Sequence, residues 1–397
     1  MSAPSARSLT SVDTPYLVVD VERLDRNLNS MAAWASEHGV ALRPHAKTHK
    51  CAQISTRQLG AGAVGLTVAT IGEAEVFANI GVDDLFIAYP LWLSGSKVER
   101  LRALCVRATI SVGVDSAVGA RRLAEALAGV PVTVLVEVDS GMHRTGVSPA
   151  EVVAVATAAR DGGLDVAGVF TFPGHGYGPG TARSEAASQE AQSLAEAAEL
   201  LRSHDFEIRV VSGGSTPTIH FADAGVVTEL RPGVYPFYDA QQLELESCTI
   251  DDVALTAVAT VVSKATTPGG KGERIVLDAG SKILGADRPT WTTGFGRLAD
   301  FLAARIVSLS EHHAVVDFPA DNSAPELGDR VRVIPNHVCS AVNLVDALYA
   351  RCPVTSDYKP GRSLPAVRTR NLRSFVDPFD GPLRVAAAEE KGSRIGQ

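Results

Sequence analysis

The chain contains no run of lysine or arginine, and its net charge is −8. That excludes the basic stripe needed to neutralise nucleic-acid phosphates or to hold an anionic membrane surface. No stretch supplies the roughly 18 consecutive apolar residues of a membrane helix. The opening segment MSAPSARSLTSVDTP has no apolar signal core, so a soluble protein is expected. Cysteine is scarce: Cys51, Cys105, Cys248, Cys339 and Cys352 are scattered and odd in number, which argues against a disulfide scaffold and for a reduced, cytoplasmic setting. No repeat with a solenoid period is present. What is present is 397 residues with 45% hydrophobic and 21% charged side chains, enough to bury one large domain and a smaller one. A small-molecule substrate fits this balance better than a macromolecular one.

The residues alternate between strand-like and helix-like patterns. After an apolar run at 16–20, eight strand-like runs follow at 41–47, 65–70, 85–90, 108–115, 132–139, 166–173, 208–212 and 227–231. Helical segments such as 72–79, 118–128 and 183–203 separate them. Eight βα repeats imply an α/β fold with a closed parallel (β/α)₈ barrel over 16–245. Beyond 245 the pattern turns antiparallel and β-branched, at 254–264, 273–279, 303–308, 313–317 and 330–335, with TTPGGKG as a hairpin turn. A second β domain over 246–385, joined by residues 1–15, is expected, with a loosely ordered tail from about 384.

Barrel active sites lie at the carboxyl ends of the strands, where this sequence places RPHAKTHK, EVDSGMHRTG, FPGHGYG and SGGSTPT. Ser212, Gly213, Gly214, Ser215 and Thr216 combine glycines, which leave backbone N–H groups accessible, with hydroxyls that donate to phosphate. The same loop reads equally as a plain Gly-Ser turn, until its place after the seventh strand favours phosphate. Lys47, desolvated at a strand end, can act as an amine nucleophile toward an aldehyde; a surface charge is the competing reading for it and for Lys50. Lysine plus phosphate cradle suggests pyridoxal phosphate. His337 and Cys339, two apart, share one face if the segment is a strand, and an imidazole with a thiolate suits Zn²⁺, although such a short pair is usually incidental.

Taken together, TPYLVVD…LRPHAKTHK, EVDSGMHRTGV, SGGSTPT, ELRPGVYPFYD, DAGSK and PNHVCSAVNL resemble the D-serine dehydratase and D-threonine aldolase group of the alanine-racemase-like, fold type III pyridoxal-phosphate enzymes. The resemblance implies that Lys47 is the Schiff-base lysine and that Arg144 contacts the cofactor phenolate. It places His175 near the cofactor and Tyr177 near the ring nitrogen, and it makes His337 and Cys339 the metal pair, for Zn²⁺ with Mn²⁺ as an alternative. It also implies an antiparallel homodimer in which the partner's C-terminal domain completes each site. In the group, aldolase members carry Asp where Cys339 stands and dehydratase members carry Cys, which favours a dehydratase of D-β-hydroxy amino acids. The alternatives are a D-threonine aldolase releasing glycine and an aldehyde, an amino-acid racemase, and a non-catalytic carrier of the cofactor, against which the second domain argues. Glu311-His312-His313 reads as a solvated turn with a possible link to the metal.

Overall fold

The computed structural model describes residues 6–7, 9–267, 272–319, 323–351, 364–365, 373–377 and 381–385. Cys352 and nearly all of the tail lie outside them. Eight parallel strands form one sheet: Ala41–Leu42, Leu66–Val68, Asp84–Ile87, Thr109–Val114, Thr133–Glu137, Asp165–Phe170, Val210–Gly213 and Glu229–Leu230. Each pairs with its sequence neighbour, and the last pairs with the first. A parallel bridge between His45 and Thr67, with the Ala46 amide donating to the Thr67 carbonyl at 2.8 Å, joins the first strand to the second. The observed helices Ile71–Asn79, Ala117–Ala126 and Ala182–Arg202 follow the apolar spacing read from the sequence. Their buried residues, such as Ala186, Glu190, Leu194 and Leu201, recur at helical intervals.

The second sheet is built on Leu255–Thr266, Gly272–Leu277, Gly296–Leu298, Phe301–Leu309, Ala314–Pro319 and Arg330–Pro335, all antiparallel to their neighbours. Thr267 and Gly272 close the expected hairpin, the Thr267 amide donating to the Gly272 carbonyl at 2.9 Å; residues 268–271 between them lie outside the described set. Two features differ from the sequence expectation. Tyr16–Asp20, expected at the start of the barrel segment, joins the second sheet instead, antiparallel to Leu255–Thr266 and parallel to Ala347–Arg351. That sheet is therefore mixed. The reason is physical: YLVVD is buried on both faces, so it lacks the polar–apolar alternation that would assign it to one sheet. The Asp20 side chain accepts from the Arg23 amide at 3.2 Å and caps the helix Val21–Glu37 that returns the chain to the barrel.

One contiguous apolar core runs through both sheets, from Leu17 to Ala350. Within the barrel the core is not wholly apolar. The Arg43 guanidinium donates to Asp84 at 2.7 and 3.0 Å and to Glu229 at 2.6 Å, and Ser212 Oγ donates to Glu229 at 2.7 Å. Arg231 donates from Nε to Ser212 at 2.8 Å and also to the Thr171 carbonyl. Such a network is retained because each buried charge finds partners. Among the described residues no helix is long and apolar enough to cross a membrane.

Candidate active site

The chain leaves the first barrel strand through Pro44–Cys51, and local hydrogen bonds fix this loop. The Lys50 amide donates to the Ala46 carbonyl at 2.9 Å, and the Cys51 amide to His49 Nδ1 at 3.0 Å. His49 is buried, and burial pushes its imidazole down to about 4. It therefore stays neutral, and Nε2 is left to donate to Gln58 Oε1 at 3.1 Å. Gln58 in turn donates to Tyr235 Oη at 3.0 Å, tying the loop to the RPGVY segment. Lys47, half-buried, places Nζ 5.5 Å from the centroid of the Phe172 ring, and Arg144 holds its guanidinium carbon 5.2 Å from the same ring. Lysine, arginine and the end of the sixth strand thus meet at the barrel mouth, as the strand-end argument expects.

The SGGSTPT loop lies alongside. Gly214 adopts φ +80°, and a Cβ there would stand 2.6 Å from Leu230 Cδ2; one on Gly213 would stand 2.4 Å from Glu190 Oε1. The Gly214 amide donates to Glu190 at 2.7 Å, so this N–H is committed to the protein and not left for a phosphate, contrary to the sequence expectation for Gly214. Burial pushes the Glu190 carboxyl up to about 7, against the pull of Gly214 and Arg231. Ser215 Oγ lies 2.9 Å from Thr218 Oγ1, and Thr216 Oγ1 accepts from the Val234 and Tyr235 amides at 2.9 and 3.2 Å. Gly233 packs so closely on the lysine loop that a Cβ would lie 3.1 Å from Thr48 Oγ1. The RPGVY segment thus ties the Thr216 hydroxyl to the loop that carries Lys47. We expect Gly214→Ala to weaken pyridoxal-phosphate retention, because a positive φ and a blocked Cβ both oppose it, at about 1–2 kcal/mol or more; dialysis of the loaded protein followed by absorbance measures this.

His175 and Tyr177 follow the sixth strand. His175 Nε2 meets Gln189 Oε1 at 2.8 Å, while its buried Nδ1 has no hydrogen-bond partner. Tyr177 is raised above its ordinary value by burial and then by the charges of Cys339 and Asp239. Its ring centroid lies 6.2 Å from that of Phe172, the ring that Lys47 and Arg144 also approach.

His337 and Cys339 do come together, though not along a strand. The strand Arg330–Pro335 ends before them; His337 caps the short helix Val338–Asn343 and Cys339 lies in its first turn. Val338, Ala341 and Val342 are buried, an i, i+3, i+4 spacing that marks a helix. The Cys339 thiol lies 3.2 Å from Thr48 Oγ1, next to Lys47. The contact brings the pair to the lysine loop of the same chain. His337 Nδ1 meets Asp287 Oδ2 at 2.7 Å, and Ser340 Oγ donates to the same oxygen at 2.9 Å. Asp239, buried, accepts the Val338 amide at 3.0 Å. Burial opposes charge on both residues. Even so, the neighbouring thiol, Asp239 and Asp287 push His337 up to about 10, and His337, Lys47 and Thr48 hold Cys339 below its ordinary value. A thiolate beside an imidazole anchored by a carboxylate is a donor set suited to Zn²⁺. Among the described residues no group of three or more His, Cys, Asp or Glu is placed to hold a metal. Glu311 pairs with Lys282 at 3.0 Å, and the Ser310 amide donates to the His313 carbonyl at 2.9 Å, so residues 311–313 form a hairpin turn.

The model of the alanine racemase N-terminal domain matches residues 19–241, and that of a putative serine dehydratase domain matches residues 254–351. The chain is 37% identical to D-threonine aldolase of Arthrobacter sp., over 86% of this chain and 89% of that protein. It is 33% identical to D-threo-3-hydroxyaspartate dehydratase of Delftia sp. (strain HT23), over 84% of this chain and 92% of that one. The solved structure of the Delftia sp. HT23 dehydratase superposes with a TM-score of 0.80 at 29% identity, covering 96% of this chain and 100% of the other. Solved variants of that dehydratase replace with alanine a histidine in one and, in another, a cysteine two residues further on; the cysteine variant is described as metal-free. The chain therefore belongs to the D-serine dehydratase and D-threonine aldolase group of the fold type III enzymes, and is a pyridoxal-phosphate-dependent D-amino acid lyase.

Proposed function

We propose that this protein is a metal-assisted dehydratase of D-β-hydroxy amino acids, with Lys47 carrying the cofactor and His337 with Cys339 holding Zn²⁺. The observation that carries the reading is the 3.2 Å approach of Cys339 to Thr48, which puts a thiolate–imidazole pair next to the lysine. The hydroxyls of Ser215 and Thr216 would hold the phosphate, and Arg144 the phenolate oxygen. When bound, pyridoxal phosphate supplies an electron sink at Cα and zinc a Lewis acid at the β-oxygen.

The protein's own groups do the rest. Lys47 Nζ would hold the cofactor and would serve as the base for the substrate's Cα proton. Phe172 presents its ring to both Lys47 and Arg144. Asp287 holds His337 through Nδ1, leaving Nε2 for the metal. Loss of the α-proton and the β-hydroxyl, followed by hydrolysis, yields a keto acid and ammonia.

Aldol cleavage is the second reading. It is favoured by the likeness to D-threonine aldolase, and it needs the same groups with a base at the β-hydroxyl. Incubation of the zinc-loaded protein with D-serine, D-threonine and D-threo-3-hydroxyaspartate separates the two. Keto acid and ammonia are expected; glycine as the main product would overturn the dehydratase assignment. Because Lys47 and the metal pair serve one face of the bound substrate, we also expect turnover of D-serine and none measurable of L-serine by coupled keto-acid assay. Equal rates would point to a racemase. A homodimer completes the proposal, to be read by sedimentation.

A further inference from the structure

Asp239 closes the segment ELRPGVYPFYD and is 1% exposed. A carboxylate is rarely buried so fully unless its oxygens find donors, and here both do. Oδ1 accepts from the Gln242 amide at 3.0 Å and caps the helix Ala240–Glu244. Oδ2 accepts from the Val338 amide, also at 3.0 Å, from ninety-nine positions away in the chain.

A helix cap needs one oxygen. Serine or asparagine would cap this helix about as well as aspartate, so the cap alone leaves the second oxygen unexplained. Val338 stands between His337 and Cys339, and as the first residue of its helix it has an amide with no partner inside that helix. A second bond acts beside it: the Gln241 amide donates to the Asn336 carbonyl at 3.2 Å. The two bonds fall at 336 and 338 and so bracket His337, while Asn336 Nδ2 donates to the Asp287 and Gly294 carbonyls at 3.2 and 2.8 Å. Tyr238, just before Asp239, adopts φ +50°, a left-handed conformation that costs a bulky residue about 1–2 kcal/mol. Strain of this kind collects where the surroundings fix a neighbour for a task.

We propose that Asp239 is a positioning residue for the metal pair: its second oxygen clamps the turn 336–339 so that His337 and Cys339 present their donors to one ion. The inference rests on the reading of those two residues as metal ligands. With two protein ligands, no third one corrects a turn that swings, and metal–ligand distances tolerate about 0.2 Å. Asp287 steadies the imidazole through Nδ1; Asp239 steadies the main chain that carries both donors.

The test is zinc affinity, read by competition with a chromophoric chelator on the full-length, pyridoxal-phosphate-loaded protein, together with the thiolate-to-metal charge-transfer band of the Co²⁺-loaded form. Asp239→Asn keeps one acceptor, enough for the cap, and turns an N–H toward the Val338 amide. Its zinc Kd should rise about 10–100-fold, as for other partners that hold a ligand in place, and the charge-transfer band should weaken, while the visible absorbance of the bound pyridoxal phosphate stays as in wild type. Val338→Pro keeps the carboxylate and removes the donor, at a helix position that accepts proline and after a His337 already extended at φ −131°; its zinc Kd should rise as well. An unchanged Kd and band in Asp239→Asn would show that the residue only caps its helix and would overturn the proposal. A rise in Asp239→Asn with none in Val338→Pro would overturn it too, by assigning the effect to charge and not to the hold on the turn. Should one variant fail to fold, the other decides. A wild-type protein that binds neither Zn²⁺ nor Co²⁺ would instead overturn the reading of His337 and Cys339, and the Asp239 proposal with it.

Discussion

Replacing Lys47 with alanine should give a folded, colourless protein with no measurable turnover. The side chain has two proposed roles, anchoring the cofactor and moving the α-proton, and loss of a positioned acid–base group alone costs about 10²–10⁴-fold. Its contribution to stability is small by contrast. Nζ lies 5.5 Å from the centroid of the Phe172 ring, and a cation–π contact at a partly exposed site contributes about 0.5–1 kcal/mol. Thermal melting of the variant should therefore stay close to wild type while the yellow absorbance and the keto-acid product vanish. A yellow and active Lys47→Ala protein would refute the assignment.

Removing the metal should be as damaging to turnover and harmless to colour. Two protein ligands are fewer than the three usual at catalytic zinc, so affinity should be modest and a chelator should strip the ion. The cofactor should stay, since Lys47 and the Ser215–Thr216 loop do not depend on the metal; added Zn²⁺ should restore the rate. Cys339→Ser should weaken zinc binding by more than the roughly 10–100-fold typical of outer partners. Cys339→Asp should favour harder ions such as Mn²⁺, with glycine appearing among the products. If metal analysis finds no ion and chelation leaves the rate unchanged, His337 and Cys339 have no such role.

The barrel was legible in the sequence because strand and helix periods alternate cleanly, and most of the site because barrel chemistry collects at strand ends. Lys47 and the 212–216 loop were singled out that way, and Arg144 by the family resemblance. What escaped did so for identifiable reasons. Tyr16–Asp20 carries no alternation to say which sheet it joins. The helical setting of Cys339 was written in the spacing of Val338, Ala341 and Val342 but was hidden by reading two residues as a strand repeat. Asp287 reaches His337 across fifty positions, a distance no local pattern spans. Glu190 offered a signal that went unused: it sits between Ala186 and Leu194 on the buried stripe of its helix, where an acid demands a partner, and that partner is the Gly214 amide.

The account turns on which lysine bears the cofactor, and Lys47 and Lys50 lie on the same loop. Lys50 Nζ is already committed to Asn343 Oδ1 at 2.9 Å and lies 3.5 Å from Glu73, whereas Lys47 faces Phe172, Arg144 and Cys339. Borohydride reduction of the loaded protein, followed by peptide mapping, reads the attachment point directly. The account predicts a pyridoxyl adduct on Lys47; an adduct on Lys50, or none at all, would contradict it.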